Sequence, residues 1–146
     1  LTDVTLSWQP YEMHPYRSLI KHKMLHAVMT AHIFNRNIDP DYPATLSYKT
    51  LTEVLRNQLH FDGVILTDDM YMQGIVDNYD IAEAIILAIN AGADILVMGN
   101  NITTGYESER PFKVVDIIVN AVKQGKIPAY RLRQSYERIR KLKRSL

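Results

Sequence analysis

Two adjacent carboxylates, Asp68 and Asp69, follow the short apolar run Val64–Thr67 and are the residues of this chain best placed to do chemistry. A carboxylate that ends a buried strand lies where α/β enzymes usually carry their active site. Successive side chains of a strand point to opposite faces, so the two carboxylates cannot act as a facing pair. One inward carboxylate suits a nucleophile or a metal ligand. The alternative interpretation is that Asp68 or Asp69 merely caps the following segment.

Histidine is the second residue type that could serve chemistry here. His32 ends the preceding predicted strand and could point into the same pocket, either lining or orienting a substrate or held by hydrogen bonds inside the fold. The other histidines fall on predicted helices or connections and are interpreted as surface or structural residues: His14, His22, His26 and His60. With no cysteine and no HxH or HExxH spacing, the sequence predicts no metal site.

The loops beside these candidates carry further polar residues. The connection Asn35–Thr45 is long, and it either lines a pocket or spans the top of the sheet. Asp39 and Asp41 within it are expected to be solvated turn residues. Asn100 and Asn101 could donate to a ligand, but turn formation is the preferred interpretation. No glycine-rich phosphate loop follows Gly99, and no cofactor is predicted.

The composition and net charge of the chain limit the classes of function that it can have. The chain has 146 residues, of which 47% are hydrophobic and 23% charged, as in an ordinary globular domain. Its formal net charge of +1 does not indicate a nucleic-acid partner, and no apolar run approaches the roughly 20 residues of a membrane helix. Because the sequence opens on Leu1 rather than Met, we expect a fragment or a mature form.

The elements that must position these residues alternate between helix and strand. Three strand-then-helix units predict a parallel sheet in one α/β domain. The loops after His32, Asp68 and Gly99 would share one edge, and Asp62 would be a turn residue at the other. The predicted helices are Gln9–His22, Ser47–Leu59, Ile81–Ala91, Val114–Lys123 and Ala129–Leu146. In the first of them the possible inward residues are Tyr11, Tyr16, Leu19 and Ile20, and Gly92 ends the third. The predicted strands are Ala27–Ile33, expected to be buried on both faces, Val64–Thr67 and Asp94–Gly99.

The last predicted helix is strongly basic between Arg131 and Arg144. A basic helix can bind nucleic acid or a membrane surface. An apolar stripe along the same helix instead favours an amphipathic helix docked on the domain. That stripe consists of Leu132, Tyr136, Ile139 and Leu142, and docking is the preferred interpretation.

The run VLRNQLHFDGVILTDDM, Val54–Met70, resembles the signature of glycoside hydrolase family 3, in the branch of the bacterial β-N-acetylhexosaminidases. The resemblance extends over nearly the whole chain. Its supporting segments are Met29–Ile33, Asp39-Pro40, Pro43–Ser47, Met72–Ile75, Ala91–Asp94 and Ser135–Ile139.

This resemblance implies a fold and a set of site residues. The family fold is a (β/α)8 TIM barrel, and residues 1–146 would be a single incomplete domain holding its latter part, about strands 6 to 8, with a C-terminal amphipathic helix. The family's nucleophile maps to Asp68, which would form a covalent glycosyl-enzyme and act with retention. Asp69 would support it, and His32, Asp69 and Met70 are weaker candidates for substrate contacts.

The resemblance also implies a substrate and partners. The substrate would be a glycan with terminal GlcNAc, such as a peptidoglycan fragment, in a bacterial protein of the cytoplasm or the cell envelope. The family's His-Asp acid/base and its Lys-His sugar-binding residues belong to earlier segments. We therefore expect an inactive fragment that meets the missing barrel half or self-associates through open sheet edges. The alternatives are a β-glucosidase of the same family and a non-catalytic interaction module.

Overall fold

The computed structural model describes residues 1–99 and 106–145, which form an α/β fold of short parallel strands and covering helices. The strands are β1 (Thr2–Asp3), β2 (Ala27–Met29), β3 (Ile33–Phe34), β4 (Val64–Asp69) and β5 (Ile95–Val97). The helices are α1 (His14–Lys21), α2 (Gln73–Val76), α3 (Ile81–Ala91), α4 (Arg110–Lys123) and α5 (Ala129–Arg144), with 3₁₀ turns at Pro10–Met13 and Ala44–Leu46 and a π-helix at Lys49–Gln58.

Strand β4 is the centre of a three-stranded parallel sheet in the order β2-β4-β5. Its register pairs Ala27 with Val64 on one side and Leu66 with Ile95 on the other. A separate two-stranded parallel sheet joins β1 to β3. The prediction of an α/β fold with parallel strands and intervening helices is therefore confirmed, and the carboxyl ends of β2, β4 and β5 lie along one edge.

The predicted strand Ala27–Ile33 is wrong in two respects. It divides into β2 and β3, which pair with different strands, because Thr30 and His32 turn their side chains into buried hydrogen bonds. Nor is it buried on both faces, since the Met29 side chain is 61% exposed. Within the described residues, the face of β2 that carries Met29 has no covering layer.

The predicted helix Gln9–His22 is also shorter than expected. A 3₁₀ turn fills Pro10–Met13, and α1 starts only at His14, with Pro15 in its first turn where no backbone donor is needed. Three of its four predicted inward residues are exposed: Tyr11, Tyr16 and Leu19. Ile20 alone of the four packs against the core.

The central helices match the sequence pattern more closely. The π-helix Lys49–Gln58 lies within the predicted helix Ser47–Leu59, and the buried residues of that segment include Leu51, Leu55 and Leu59. Helix α3 has the predicted bounds, begins at Asp80, which accepts hydrogen bonds from two backbone N–H groups, and ends at Gly92. Gly92 has φ +127, and a Cβ there would lie 2.9 Å from the Thr52 hydroxyl, so both conformation and space require glycine.

A buried carboxylate, Asp94, fastens α5 to the sheet. Its side chain has no exposed surface and accepts hydrogen bonds from Arg56 (2.6 Å), Arg131 (3.0 Å) and Arg138 (3.2 Å). The Ser135 hydroxyl and the Ile65 N–H also donate to it. Helix α5 is thus docked, but the predicted apolar stripe is not the whole contact, since Tyr136 is exposed and Arg131 is buried.

The charges around Asp94 set its protonation. Burial alone would raise the pKa of Asp94, but the hydrogen bonds from Ile65 and Ser135 and the charges of Arg56 and Arg138 outweigh it and hold the pKa below its usual value. Burial lowers the pKa of Arg56 to about 10 against the opposing charge of Asp94. Asp94 and Arg56 are therefore charged at neutral pH, and the carboxylate is the shared partner of three guanidinium groups.

We predict that Asp94→Asn lowers the free energy of unfolding by about 3–5 kcal/mol, because it leaves buried guanidiniums without a counter-charge. Urea unfolding measures the loss. Asp62→Asn is the matched control, since the Asp62–Lys141 pair is largely exposed, and its loss should stay below about 1 kcal/mol. Equal losses in the two variants would contradict the role given to Asp94.

We also predict an acid limb in stability that depends on Asp94. Because its folded-state pKa lies below the unfolded value, the unfolded chain binds the proton more readily. The stabilisation is complete above about pH 4, near the unfolded pKa, and is lost as pH falls through the folded pKa. The free energy of unfolding should fall less steeply with acidification in Asp94→Asn than in the unsubstituted protein. Parallel pH profiles would rule this out.

Candidate active site

Asp68 and Asp69 are the last two residues of β4, and their carboxylates have separate partners. Oδ1 of Asp68 accepts a hydrogen bond from the Asp69 N–H at 2.8 Å. Oδ1 of Asp69 accepts from the N–H groups of Tyr71 (3.0 Å) and Gly99 (2.7 Å), so this carboxylate ties β4 to the end of β5. Both residues are partly buried. No side chain in residues 1–99 or 106–145 bonds to Oδ2 of Asp68, which leaves that oxygen able to react.

His32 lies against Asp69 and is 8% exposed. Its Nε2 is 2.9 Å from the Asp69 carbonyl oxygen, and its Nδ1 is 3.0 Å from the Thr45 hydroxyl. A carbonyl oxygen only accepts, so Nε2 carries the proton, and in this tautomer of the ring Nδ1 accepts from Thr45. The structure therefore gives both ring nitrogens protein partners. Of the interpretations open from the sequence, it favours orientation through internal hydrogen bonds over direct contact with a ligand.

Thr45 is a site residue that the sequence reasoning missed. It is fully buried in the 3₁₀ turn Ala44–Leu46, and its hydroxyl lies 2.9 Å from that of Thr30. Since Thr45 donates to His32, the Thr30 hydroxyl donates to Thr45. The long connection Asn35–Thr45 thus brings a hydroxyl under the end of β4. A threonine beside a predicted helix start gives no sequence signal for such a contact.

Asp39 corrects another expectation, because it is 4% exposed rather than solvated. It accepts hydrogen bonds from the Ser47 hydroxyl (2.7 Å) and the Asp41 N–H (3.0 Å), and Lys49 lies 3.6 Å away. Burial would raise the pKa of Asp39, but these hydrogen bonds and the Lys49 charge hold it below its usual value. Asp41 is exposed, as expected.

Several other candidates lie away from this site. The Met70 side chain is fully buried in the core and has no surface to offer a ligand. Asn100 and Asn101 fall outside the described residues. The remaining histidines are all exposed: His14, His22, His26 and His60. In residues 1–99 and 106–145, no three His, Cys, Asp or Glu side chains are grouped as a metal ion requires, and no helix is long and apolar enough to cross a membrane.

Comparison with known proteins identifies the family. The model of the glycosyl hydrolase family 3 N-terminal domain matches residues 6–142. The chain belongs to this family. The α/β fold with parallel strands is consistent with the TIM-barrel domain of family 3, and the resemblance seen in Val54–Met70 is confirmed.

Relatives within family 3 are named as hexosaminidases. The chain is 32% identical over 143 residues to β-hexosaminidase A of Pseudoalteromonas piscicida, covering 90% of this chain and 24% of that protein. It is 38% identical over 93 residues to a β-hexosaminidase of Shewanella frigidimarina, covering 64% and 27%. The chain thus spans about a quarter of the length of the curated relatives it matches.

Solved structures of the family show the same fold. The β-N-acetylglucosaminidase of Thermotoga maritima superimposes with a TM-score of 0.76 at 30% identity, over 88% of this chain and 27% of that one. A family 3 β-N-acetylglucosaminidase from Paenibacillus gives 0.80 at 34% identity, over 91% and 24%.

A substitution at Gly99 tests the hydrogen bond that joins the Asp69 carboxylate to the end of β5. A Cβ at this position would lie 2.0 Å from Oδ2 of Asp69, so Gly99→Ala must displace the carboxylate. We predict a loss of about 1–3 kcal/mol in the free energy of unfolding, measured in urea. Gly74→Ala is the control, because a Cβ there would meet no atom nearer than Leu1 Cδ2 at 3.5 Å. An unaffected Gly99→Ala variant would show that Asp69 is not held as described.

Proposed function

We propose that the protein containing this chain is a retaining β-N-acetylhexosaminidase with Asp68 as its nucleophile. The observation that carries the proposal is the placement of Asp68: it ends the central parallel strand with one oxygen held and the other without a partner among the described residues. The hexosaminidase names of the family 3 relatives support the substrate class, a glycan with terminal GlcNAc.

The reaction follows from this placement. A lone pair on Oδ2 of Asp68 forms a bond to the anomeric carbon as the bond from that carbon to the leaving oxygen breaks. A general acid protonates the leaving oxygen, and the same group then takes a proton from the water that hydrolyses the glycosyl ester. Two displacements at one carbon restore its configuration. Charge on Asp68 suits the first step, since only the carboxylate is nucleophilic.

The general acid is proposed to come from a part of the enzyme outside residues 1–146. The resemblance implies a His-Asp pair for this role. The four exposed histidines of the chain fall on predicted helices or connections, away from the predicted sheet edge that carries Asp68. We propose that β2, β4 and β5 are about the sixth to eighth strands of the barrel. The uncovered face of β2, with Met29 61% exposed, is then where the rest of the barrel packs, and these residues alone are expected to be inactive.

A β-glucoside substrate is the alternative within the family. The chain superimposes on β-glucoside phosphorylase BglX with a TM-score of 0.82 at 26% identity, over 97% of this chain and 26% of that one. The non-catalytic alternative rested on the basic helix α5. Arg131 of that helix forms an ion pair with the buried Asp94 carboxylate, which supports docking of α5 on the domain instead.

The test is hydrolysis of a chromogenic GlcNAc glycoside by the protein that contains this chain. We predict that Asp68→Asn lowers kcat by roughly 10⁴–10⁶-fold, as expected when a covalent nucleophile is removed. Asp62→Asn, two residues before the start of β4 and so at the opposite edge of the sheet, should retain activity. Hydrolysis of a glucoside in preference to the GlcNAc glycoside would favour the alternative, and an active Asp68→Asn variant would refute the proposal.

A further inference from the structure

Asp69, next to the proposed nucleophile, is held by hydrogen bonds from four residues. Its carbonyl oxygen accepts from the Met72 N–H (3.0 Å) and from His32 Nε2 (2.9 Å). Its carboxylate accepts from the N–H groups of Tyr71 and Gly99. Its own N–H donates to Oδ1 of Asp68. The orientation of the Asp69 backbone therefore decides where the carboxylate of Asp68 points.

We propose that His32 and Thr45 are positioning residues for Asp68, acting through the Asp69 backbone. This inference rests on the proposed function and adds two residues to it. Neither is placed to touch the substrate, since each is buried and has its polar atoms paired. Their effect on the reaction is to hold Oδ1 of Asp68, so that Oδ2 is left to attack.

The hydrogen bonds run in one direction along a buried path. The Thr30 hydroxyl donates to Thr45, Thr45 donates to Nδ1 of His32, and Nε2 of His32 donates to the Asp69 carbonyl. The Asp69 carbonyl fixes the ring as the Nε2–H tautomer, because a carbonyl oxygen only accepts, and Nδ1 is then an acceptor for the Thr45 hydroxyl. Without that hydroxyl, Nδ1 would be buried without a partner, and the ring would lose one of the two hydrogen bonds that hold it against Asp69.

The connection between β3 and the π-helix supplies Thr45 at a fixed position. Oδ2 of the buried Asp39 binds the Ser47 hydroxyl, and Ser47 Oγ in turn accepts from the Thr50 N–H at the start of the helix. The 3₁₀ turn that carries Thr45 is thereby anchored to the helix that follows. The buried residues Asp39 and Thr45 of this long polar connection therefore support the underside of the proposed active site.

The consequence for catalysis is geometric. Nucleophilic attack needs the reacting atoms aligned within a few tenths of an ångström, and a misplacement of 1 Å costs about 10²-fold in rate. A loosened Asp69 backbone should misplace Asp68 without changing the surface that the substrate contacts. Loss of either positioning residue should therefore lower kcat and leave KM nearly unchanged.

The kinetic test compares disruptive and conservative variants in the protein that contains this chain. His32→Leu and Thr45→Val remove the hydrogen bonds, and we expect kcat on the chromogenic GlcNAc glycoside to fall by about 10–10²-fold at unchanged KM. His32→Gln keeps a donor for the Asp69 carbonyl, and Thr45→Ser keeps the hydroxyl, so both should recover most of the activity. His14→Leu, at an exposed histidine, is the control.

A second readout does not depend on activity. The ¹⁵N resonances of the His32 ring should show the Nε2–H tautomer in the unsubstituted protein. The Nδ1 resonance should shift in Thr45→Val, where no hydroxyl donates to it, and stay nearly unchanged in Thr45→Ser. Equal losses in Thr45→Ser and Thr45→Val, or a change in KM alone, would overturn the positioning role. So would the Nδ1–H tautomer. An unsubstituted protein that shows the expected tautomer but no activity would instead overturn the proposed function, and with it the need for a positioned nucleophile.

Discussion

The fold depends first on one carboxylate that water does not reach. Asp94 follows α3 and precedes β5, and its two oxygens collect donors from the π-helix, from β4 and from α5. Three guanidiniums share this single counter-ion, so removing it would strand charges that burial has already separated from water. Helix α5 is consequently part of the fold, and its basic character at Arg131 and Arg138 is structural.

Strand β4 is fastened at both ends by different chemistry. At its start, Arg56 reaches the Phe61 and Gly63 carbonyls while Asp94 accepts from the Ile65 N–H. At its end, the Asp69 carboxylate and carbonyl receive four hydrogen bonds from residues on both sides. Between them, Ile65 of the strand lies in one buried apolar cluster with Ala84 and Ala88 of α3. The proposed nucleophile, at the end of this strand, would be positioned before substrate arrives, which is the condition for efficient attack.

The sequence predicts those parts of this structure that depend on local pattern. Helix α3 has an N-terminal Asp80, an apolar middle and Gly92, and its bounds are as predicted. The apolar run before Asp68 predicts β4, and the family resemblance selects Asp68 over Asp69 as nucleophile. This choice depends on the family resemblance. The periodicity of the sequence does not distinguish the two residues, because both carboxylates follow the same predicted strand.

The parts that the sequence does not predict depend on pairs far apart in the chain. Thr45 meets His32 across 13 positions, and Asp94 meets Arg131 and Arg138 across 37 and 44. Nothing in the local sequence distinguishes the buried Asp39 from the exposed Asp41 two residues later. The burial of the predicted strand Ala27–Ile33 is mispredicted because it also depends on distant parts of the chain. Its apolar residues indicate burial on both faces, but Met29 lies on a face that the described residues leave uncovered.

The proposed mechanism requires a covalent bond between Asp68 and the sugar, and this bond can be trapped. The protein that contains this chain would be incubated with a 5-fluoro glycosyl fluoride of GlcNAc, which slows hydrolysis of a glycosyl ester, and then digested for tandem mass spectrometry. We expect one fluoroglycosyl group on the peptide spanning Val64–Met70, with fragment ions that assign it to Asp68. An adduct on Asp69 or on any other carboxylate would contradict the proposed mechanism.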